Sequence, residues 1–427
     1  MHDSGSQIAQ LNNGARVLIY SHDSFGLGHL RRCRTIAHAL VEKYKSLSVL
    51  IISGSPIIGS FDFRARVDFV RIPGVIKLHS GEYTSLALHI DLQQTLALRE
   101  AIILSTAVSF RPDIFLVDKE PTGLQGEVVE TLRQLKQLGC VNILGLRDVM
   151  DDPQALRDEW ARKKVVPVIE ECYDRIWVYG PREMGNPISA IDLSVNALEK
   201  IRYTGYLRRN VPAERKQPSP VDTDIPYYLV TTGGGGDGVE LVDWVLRAYE
   251  QHHVSMRAVI VLGPFMSADA QVEFNARAAE LSNVEMLTFD SNIEFLMRDA
   301  VGVVAMGGYN TFCEVLSFDK RAVLVPRYTP REEQLVRVRN AAKLGLVNML
   351  DAKRYPDASL MSRALNGLAD QQLPSALMDP GMLDGLDRVA DLVEPLMQSA
   401  DRVDIHSDRS HKDRVPDPER QSSGKPA

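Results

Sequence analysis

The chain has 427 residues, with 49 Lys or Arg against 56 Asp or Glu and a formal net charge of −7 at pH 7. At 44% hydrophobic and 25% charged it has the make-up of a globular protein, with chain enough for two or three buried cores. No run of about 18 apolar residues occurs, which argues against a membrane-embedded fold, and the acidic balance argues against a nucleic-acid coat. The four cysteines, Cys33, Cys140, Cys172 and Cys313, form no CxxC pair and are expected to be buried free thiols. The N-terminus shows no signal region, so the expected location is the cytoplasm.

In chain order, 1–14 is polar and expected to be disordered. ARVLIYSHDS reads as a buried strand entering a loop. HLRRCRTIAHALVEKY follows with helical spacing of Leu30, Cys33, Ile36, Ala37, Leu40 and Val41, and SVLIISG is the next strand. This strand–loop–helix–strand start predicts an α/β fold with a parallel sheet. VDFVRIP is strand-like, and 86–110 reads as one long helix. RPDIFLVDKEP is a strand ending in charges. EVVETLRQLKQLG is an amphipathic helix with a glycine stop, and CVNILGLRDV and DRIWVYGP are further strands. Residues 15–206 are thus expected to form one domain. The proline- and charge-rich stretch 207–225 reads as a linker.

The alternation then restarts. Strands are expected at YYLVTT, MRAVIVLGP, VEMLTF, VGVVAMGG and RAVLVPR. Helices are expected at VELVDWVLRAYEQ, ADAQVEFNARAAEL, SNIEFLMRDA, TFCEVLSFD and EEQLVRVRNAAKLG. Residues 226–380 make the second domain, 381–399 a closing helical segment, and 400–427 a tail expected to be disordered.

Four segments stand where ligands of open α/β sheets bind, at the carboxyl ends of strands. In SHDSFGLGHLRRC, Gly26 and Gly28 permit a tight turn and His29 opens a helix toward the cleft. The segment lacks the third glycine of a dinucleotide fingerprint. In TTGGGGDG, Gly233, Gly234, Gly235 and Gly236 suit close approach to phosphate oxygens, with Thr231 and Thr232 as hydroxyl donors. No GK[ST] follows, so it is not a P-loop. In MGGYNTFCEVLSFD, Gly307 and Gly308 end a strand, Asn310 or Thr311 is positioned to cap the helix, and Glu314 suits a ribose diol or simply complements the helix dipole. In PRYTPREEQ, Glu333 and Gln334 start a helix beside the same cleft, with Arg327 and Arg331 near.

These segments, in this order, resemble the GT-B nucleotide-sugar enzymes, two Rossmann-like domains facing across a cleft. The second half looks most like the C-terminal domain of glycosyltransferase family 28. That resemblance implies that Glu314 holds the ribose of a UDP-sugar, with UDP-N-acetylglucosamine as the candidate donor. Gly307, Gly308, Thr311 and the TTGGGG loop would line its diphosphate, and Gln334 its sugar. SFGLGH keeps only the last Gly and His of the family's GGTGGH. GHLRRCRTIA is also similar to the start of a GT-B UDP-sugar hydrolase of the pseudaminic acid pathway, and under both resemblances His29 is the active-site position.

The leading expectation is an inverting, metal-independent transferase without a cofactor. His29 would act as base on the acceptor hydroxyl or simply orient it, and either Asp118 or Asp23 would serve as base or orient the histidine. Lys119, Glu120, Arg147 and Asp148 end first-domain strands and are expected on the acceptor side, against the alternative of solvated loop charges. The expected partners are a nucleotide sugar and a glycan, lipid-linked or small-molecule acceptor, with no nucleic acid. A lipid-linked acceptor would bring peripheral contact at the inner membrane face through HLRRCR or IPGVIKLHS. Hydrolysis of a nucleotide sugar, epimerisation, or non-catalytic binding are the alternatives.

Overall fold

A computed structural model describes residues 14–22, 28–77, 83–211, 214–215, 218–234, 236–290, 292–353 and 357–400. Asp23, Gly26 and Gly235 lie outside the described residues, as do the expected disordered ends apart from Gly14 and Ala400.

The first half runs β1 (Arg16–Ser21), α1 (Gly28–Lys43), β2 (Ser48–Ser53), β3 (Val67–Arg71), β4 (Val75–Lys77), β5 (Tyr83–Ser85), α2 (Leu92–Phe110), β6 (Ile114–Asp118), α3 (Val129–Gln137), β7 (Val141–Arg147), α4 (Pro153–Arg162), α5 (Val165–Cys172), β8 (Arg175–Tyr179), α6 (Val195–Glu199) and β9 (Ile201–Tyr203). The second runs β10 (Tyr227–Thr231), α7 (Val239–Gln251), β11 (Arg257–Val261), α8 (Ala268–Ala279), β12 (Val284–Leu287), α9 (Ile293–Asp299), β13 (Gly302–Ala305), α10 (Tyr309–Ser317), β14 (Arg321–Leu324), α11 (Glu333–Lys343), β15 (Asn348–Met349), α12 (Ala358–Asn366) and α13 (Gly385–Ala400).

Two parallel sheets result, β3-β2-β1-β6-β7-β8-β9 and β12-β11-β10-β13-β14-β15. Both are doubly wound about their first strand. Each therefore has a switch point, between β1 and β6 and between β10 and β13, where the crossovers diverge and leave a crevice. The central strands are near-continuous apolar runs because helices cover both sheet faces: Val17–Tyr20 and Tyr227–Val230 are at most 2% exposed. On α1 the stripe Leu30, Cys33, Ile36, Ala37, Leu40 and Val41 is buried, as its spacing predicts.

The halves are joined twice. Leu207, at the start of the expected linker, is fully buried and bridges to Asp384. Helix α13 then returns to α1, where the Tyr44 hydroxyl donates to the Ala390 carbonyl at 2.9 Å.

Three expectations change. The long helix starts only at Leu92, because Asp91 and Gln94 form a capping box that fixes the first turn there. Helices α4, α5 and α12 and the β4–β5 hairpin were not read from the sequence. The proposed membrane patches are core: Leu30 and Cys33 are fully buried, and Ile72 and Val75 are 1% and 2% exposed. Among the described residues no helix is long and apolar enough to cross a membrane. All four cysteines are free and buried.

Candidate active site

The two switch points face each other across a cleft with about 1380 Å³ of open space, counting its solvent-filled mouth. It is lined from the first half by Gly28, His29, Arg31, Arg32 and Arg147. The second half lines it with the glycine loop after β10 and with Gly308, Thr311, Glu314 and Gln334.

The first-domain wall is built from ionisable side chains. His29 sits in the first turn of α1, and its Nδ1 lies 2.6 Å from Asp118 Oδ2 at the end of β6. Arg32, one turn further on the same helix face, donates from Nε to Asp118 Oδ1 at 2.8 Å and from Nη2 to Oδ2. Although burial alone would raise it, the Asp118 carboxyl is held far below the usual range by the Arg32 guanidinium and by His29, so it is ionised. His29 Nδ1–H must then be the donor, which leaves Nε2 as the acceptor nitrogen. Burial pushes the imidazole down to about 3, against the pull of Asp118, so the ring is neutral at physiological pH. This is a carboxylate-oriented imidazole, with Asp118 holding tautomer and direction, an arrangement that suits a general base.

Behind it stands His22, edge-on to His29 at 5.8 Å between ring centroids and held neutral by burial, its pKa about 4. Its Nδ1 is 3.4 Å from the Tyr20 hydroxyl, which donates to Glu127, and Glu127 in turn accepts a fork from Arg99. Sequence reasoning missed this network, whose members are spread over more than 100 residues.

Lys119, Glu120 and Arg147 all stand by this wall, but each is buried rather than solvated. Burial and the Arg147 charge bring the Lys119 amine down to about 8. Glu120 is paired with Lys163 at 2.9 Å. Arg147 reaches across the cleft to Glu333 at 2.5 Å, and its Nε has no partner. Asp148 does not belong to the acceptor side. It is wholly buried, accepts from Arg337 Nε at 2.8 Å and Nη2 at 2.6 Å, and takes the Tyr206 hydroxyl at 2.8 Å. Arg337 Nη1 also donates to the Gly307 carbonyl at 2.9 Å, so the pair is an interdomain strut behind the glycine pair.

The second-domain wall is largely backbone. The cap residues of α7 and α10 are Gly238 and Gly308, and neither helix has a side-chain cap. This corrects the expectation for Asn310 and Thr311: Asn310 Nδ2 instead donates to the Gly28 carbonyl at 3.1 Å, and its Oδ1 takes Arg209. Uncapped first turns leave N–H groups without side-chain partners, and those of α10, whose residues Gly308 to Thr311 line the cleft, are turned to it. Glycine is required at two places. A Cβ on Gly307 would stand 2.3 Å from Val338, and one on Gly238 would stand 2.3 Å from Thr232. The Thr232 hydroxyl is given to the Leu262 carbonyl, so it is not the donor expected, whereas Thr231 Oγ1 accepts Gly233 N–H and keeps its O–H to donate.

Glu314, 3% exposed, lies in the second turn of α10 and accepts from Arg31 at 2.6 Å. Gln334 Oε1 accepts the Arg327 N–H at 3.4 Å, while Gly236 and Gly307 support the loops without lining the cleft. Two aromatic rings not anticipated, Phe265 and Phe289, line the same cleft at 42% and 56% exposure. Among the described residues no three His, Cys, Asp or Glu side chains gather as a metal site.

Comparison with known proteins places this arrangement. Acinetobacter baumannii MurG superposes with a TM-score of 0.57 at 12% identity, covering 89% of this chain and 99% of that one. Medicago truncatula UGT71G1 complexed with UDP-glucose gives 0.61 at 15%, covering 91% and 100%. The glycotransferase of kitacinnamycin gives 0.58 at 15%, covering 91% and 98%. No curated protein matches the sequence. The chain thus has the GT-B architecture of two Rossmann-like domains. Residues 229–380 match the family model for the glycosyltransferase family 28 C-terminal domain.

Proposed function

We propose that this chain is an inverting, metal-independent glycosyltransferase that moves a sugar from a UDP-sugar to an acceptor hydroxyl. One observation carries the reading. Two uncapped helix N-termini with a buried carboxylate on one wall meet a carboxylate-oriented histidine on the other. The first set suits a diphosphate and a ribose, and the second suits removal of a proton from the attacking hydroxyl.

The mechanism follows from the charges. The diphosphate leaves with negative charge, and N–H groups of the first turns of α7 and α10 stabilise that charge without reorganising. Glu314 accepts the ribose hydroxyls, and Phe265 or Phe289 offers a ring face for the base. On the opposite side His29 Nε2 accepts the proton of the acceptor hydroxyl, and the imidazolium so formed is stabilised by ionised Asp118. Gln334 is placed to contact the donor sugar, with Arg147 beside the acceptor. The acceptor is a glycan, a lipid-linked sugar or a small molecule.

The test is a thermal-shift series with UDP, TDP, GDP and CDP, followed by release of the nucleotide from matching sugar donors with and without chelator. A ligand at a hundred times its Kd stabilises by about 2.7 kcal/mol. A shift with UDP that Glu314→Ala abolishes, and chelator-insensitive transfer, support the reading. No shift with any nucleotide overturns it.

A further inference from the structure

Among the described residues, Arg31 is a first-domain side chain that reaches the carboxylates of the second-domain wall. It stands on α1 two residues after His29, and its Nη2 donates to Glu314 Oε1 at 2.6 Å and to Glu294 Oε1 at 2.9 Å. Two acids from two second-domain helices thus share one guanidinium from the opposite domain. The charged groups that face Glu314 are Arg31 from α1, Glu294 from α9 and Arg209 from the segment between the domains. The Arg209 fork is already spent on Thr35 and Asn310.

We propose that Arg31 is a positioning residue of the nucleotide site: from the opposite domain it holds the Glu314 carboxylate aimed so that it receives the ribose hydroxyls, which makes nucleotide binding depend on the first domain. The proposal rests on the donor-site reading above. A carboxylate has about four lone-pair sites, enough for one guanidinium N–H and a diol together. Burial pushes the Glu314 carboxyl up and Glu294 pushes the same way, while Arg31 is the largest opposing influence. Without Arg31 a larger fraction of Glu314 is protonated as pH falls, and a neutral acid accepts hydroxyl protons more weakly than a carboxylate. Affinity lost on removing Arg31 therefore returns as pH rises.

The experiment is calorimetric titration of UDP and 2′-deoxy-UDP into wild type, Arg31→Ala and Arg31→Lys, at pH 6 and pH 8.5. The expected wild-type affinity for UDP varies little with pH and exceeds that for the deoxy analogue. Arg31→Ala is expected to bind UDP about tenfold more weakly at pH 6 and within about threefold of wild type at pH 8.5, with Arg31→Lys restoring most of the loss at pH 6. Arg31→Ala and Arg31→Lys that match wild type at both pH values overturn the proposal alone. So does a loss in Arg31→Ala that is equal at both pH values. A wild type that fails to bind UDP, or that binds the two nucleotides alike, overturns the donor-site reading and the proposal with it.

Discussion

The two domains wind their sheets in the same order and present opposite chemistry at the same place. At the second-domain switch point the cleft meets glycines, an uncapped helix end and the carboxylates of Asp237, Asp290, Glu314 and Glu333. At the first it meets His29, Arg32 and Arg147, with Asp118 and Lys119 close behind; His29 is partly exposed and the other four are buried. One topology thus gives a wall that binds charge through the backbone and a wall that stores protons on side chains. Fixed backbone dipoles suit a group whose charge grows during the reaction, whereas a titratable side chain suits a proton that must move.

That contrast can be broken in order of expected effect. His29→Ala should lower sugar transfer by about 10²–10⁴-fold, measured as release of the nucleotide, because it removes the base. Asp148→Ala or Arg337→Ala leaves a buried charge unpaired between the halves and should cost about 3–5 kcal/mol in denaturant unfolding. Gly307→Ala drives a methyl group into Val338 and the Gln334 carbonyl. It should cost about 1–3 kcal/mol and weaken nucleotide binding, read in one thermal-shift titration.

The smallest effect is in pH. His22 and His29 have folded-state values of about 4 and 3 against 6.5 for a free imidazole. Between 6.5 and about 4 the unfolded chain therefore binds protons that the folded one does not, and stability falls on acidification. A loss of about 1 kcal/mol from each of these two imidazoles is expected between pH 6.5 and 5.5 in unfolding measurements; the double variant His22→Gln/His29→Gln should remove that share and leave the smaller one of half-buried His38, also held down to about 4.

Much of the second domain was legible because its elements are short, periodic and punctuated by glycine. The helix read at 239–251 is α7 as observed, and Gly308, Thr311, Glu314 and Gln334 do line one cleft. The first domain was harder. His29 was visible as a helix-opening residue and Asp118 as a strand-end one, but their 2.6 Å contact spans 89 positions and no local pattern encodes it. Arg31 and Arg32 were read as the basic rim of a membrane patch. Helix phase holds the missed signal, since Arg32 follows His29 by three residues and shares its face. Asp148 looked like a loop charge because its partner Arg337 is 189 residues away.

The most direct test of this division is UDP titration into wild type, Glu314→Ala and His29→Ala. The expected result is that Glu314→Ala loses binding by at least about tenfold while His29→Ala binds UDP as wild type does. If His29→Ala loses as much affinity as Glu314→Ala, or Glu314→Ala loses none, the two walls do not divide binding from proton transfer.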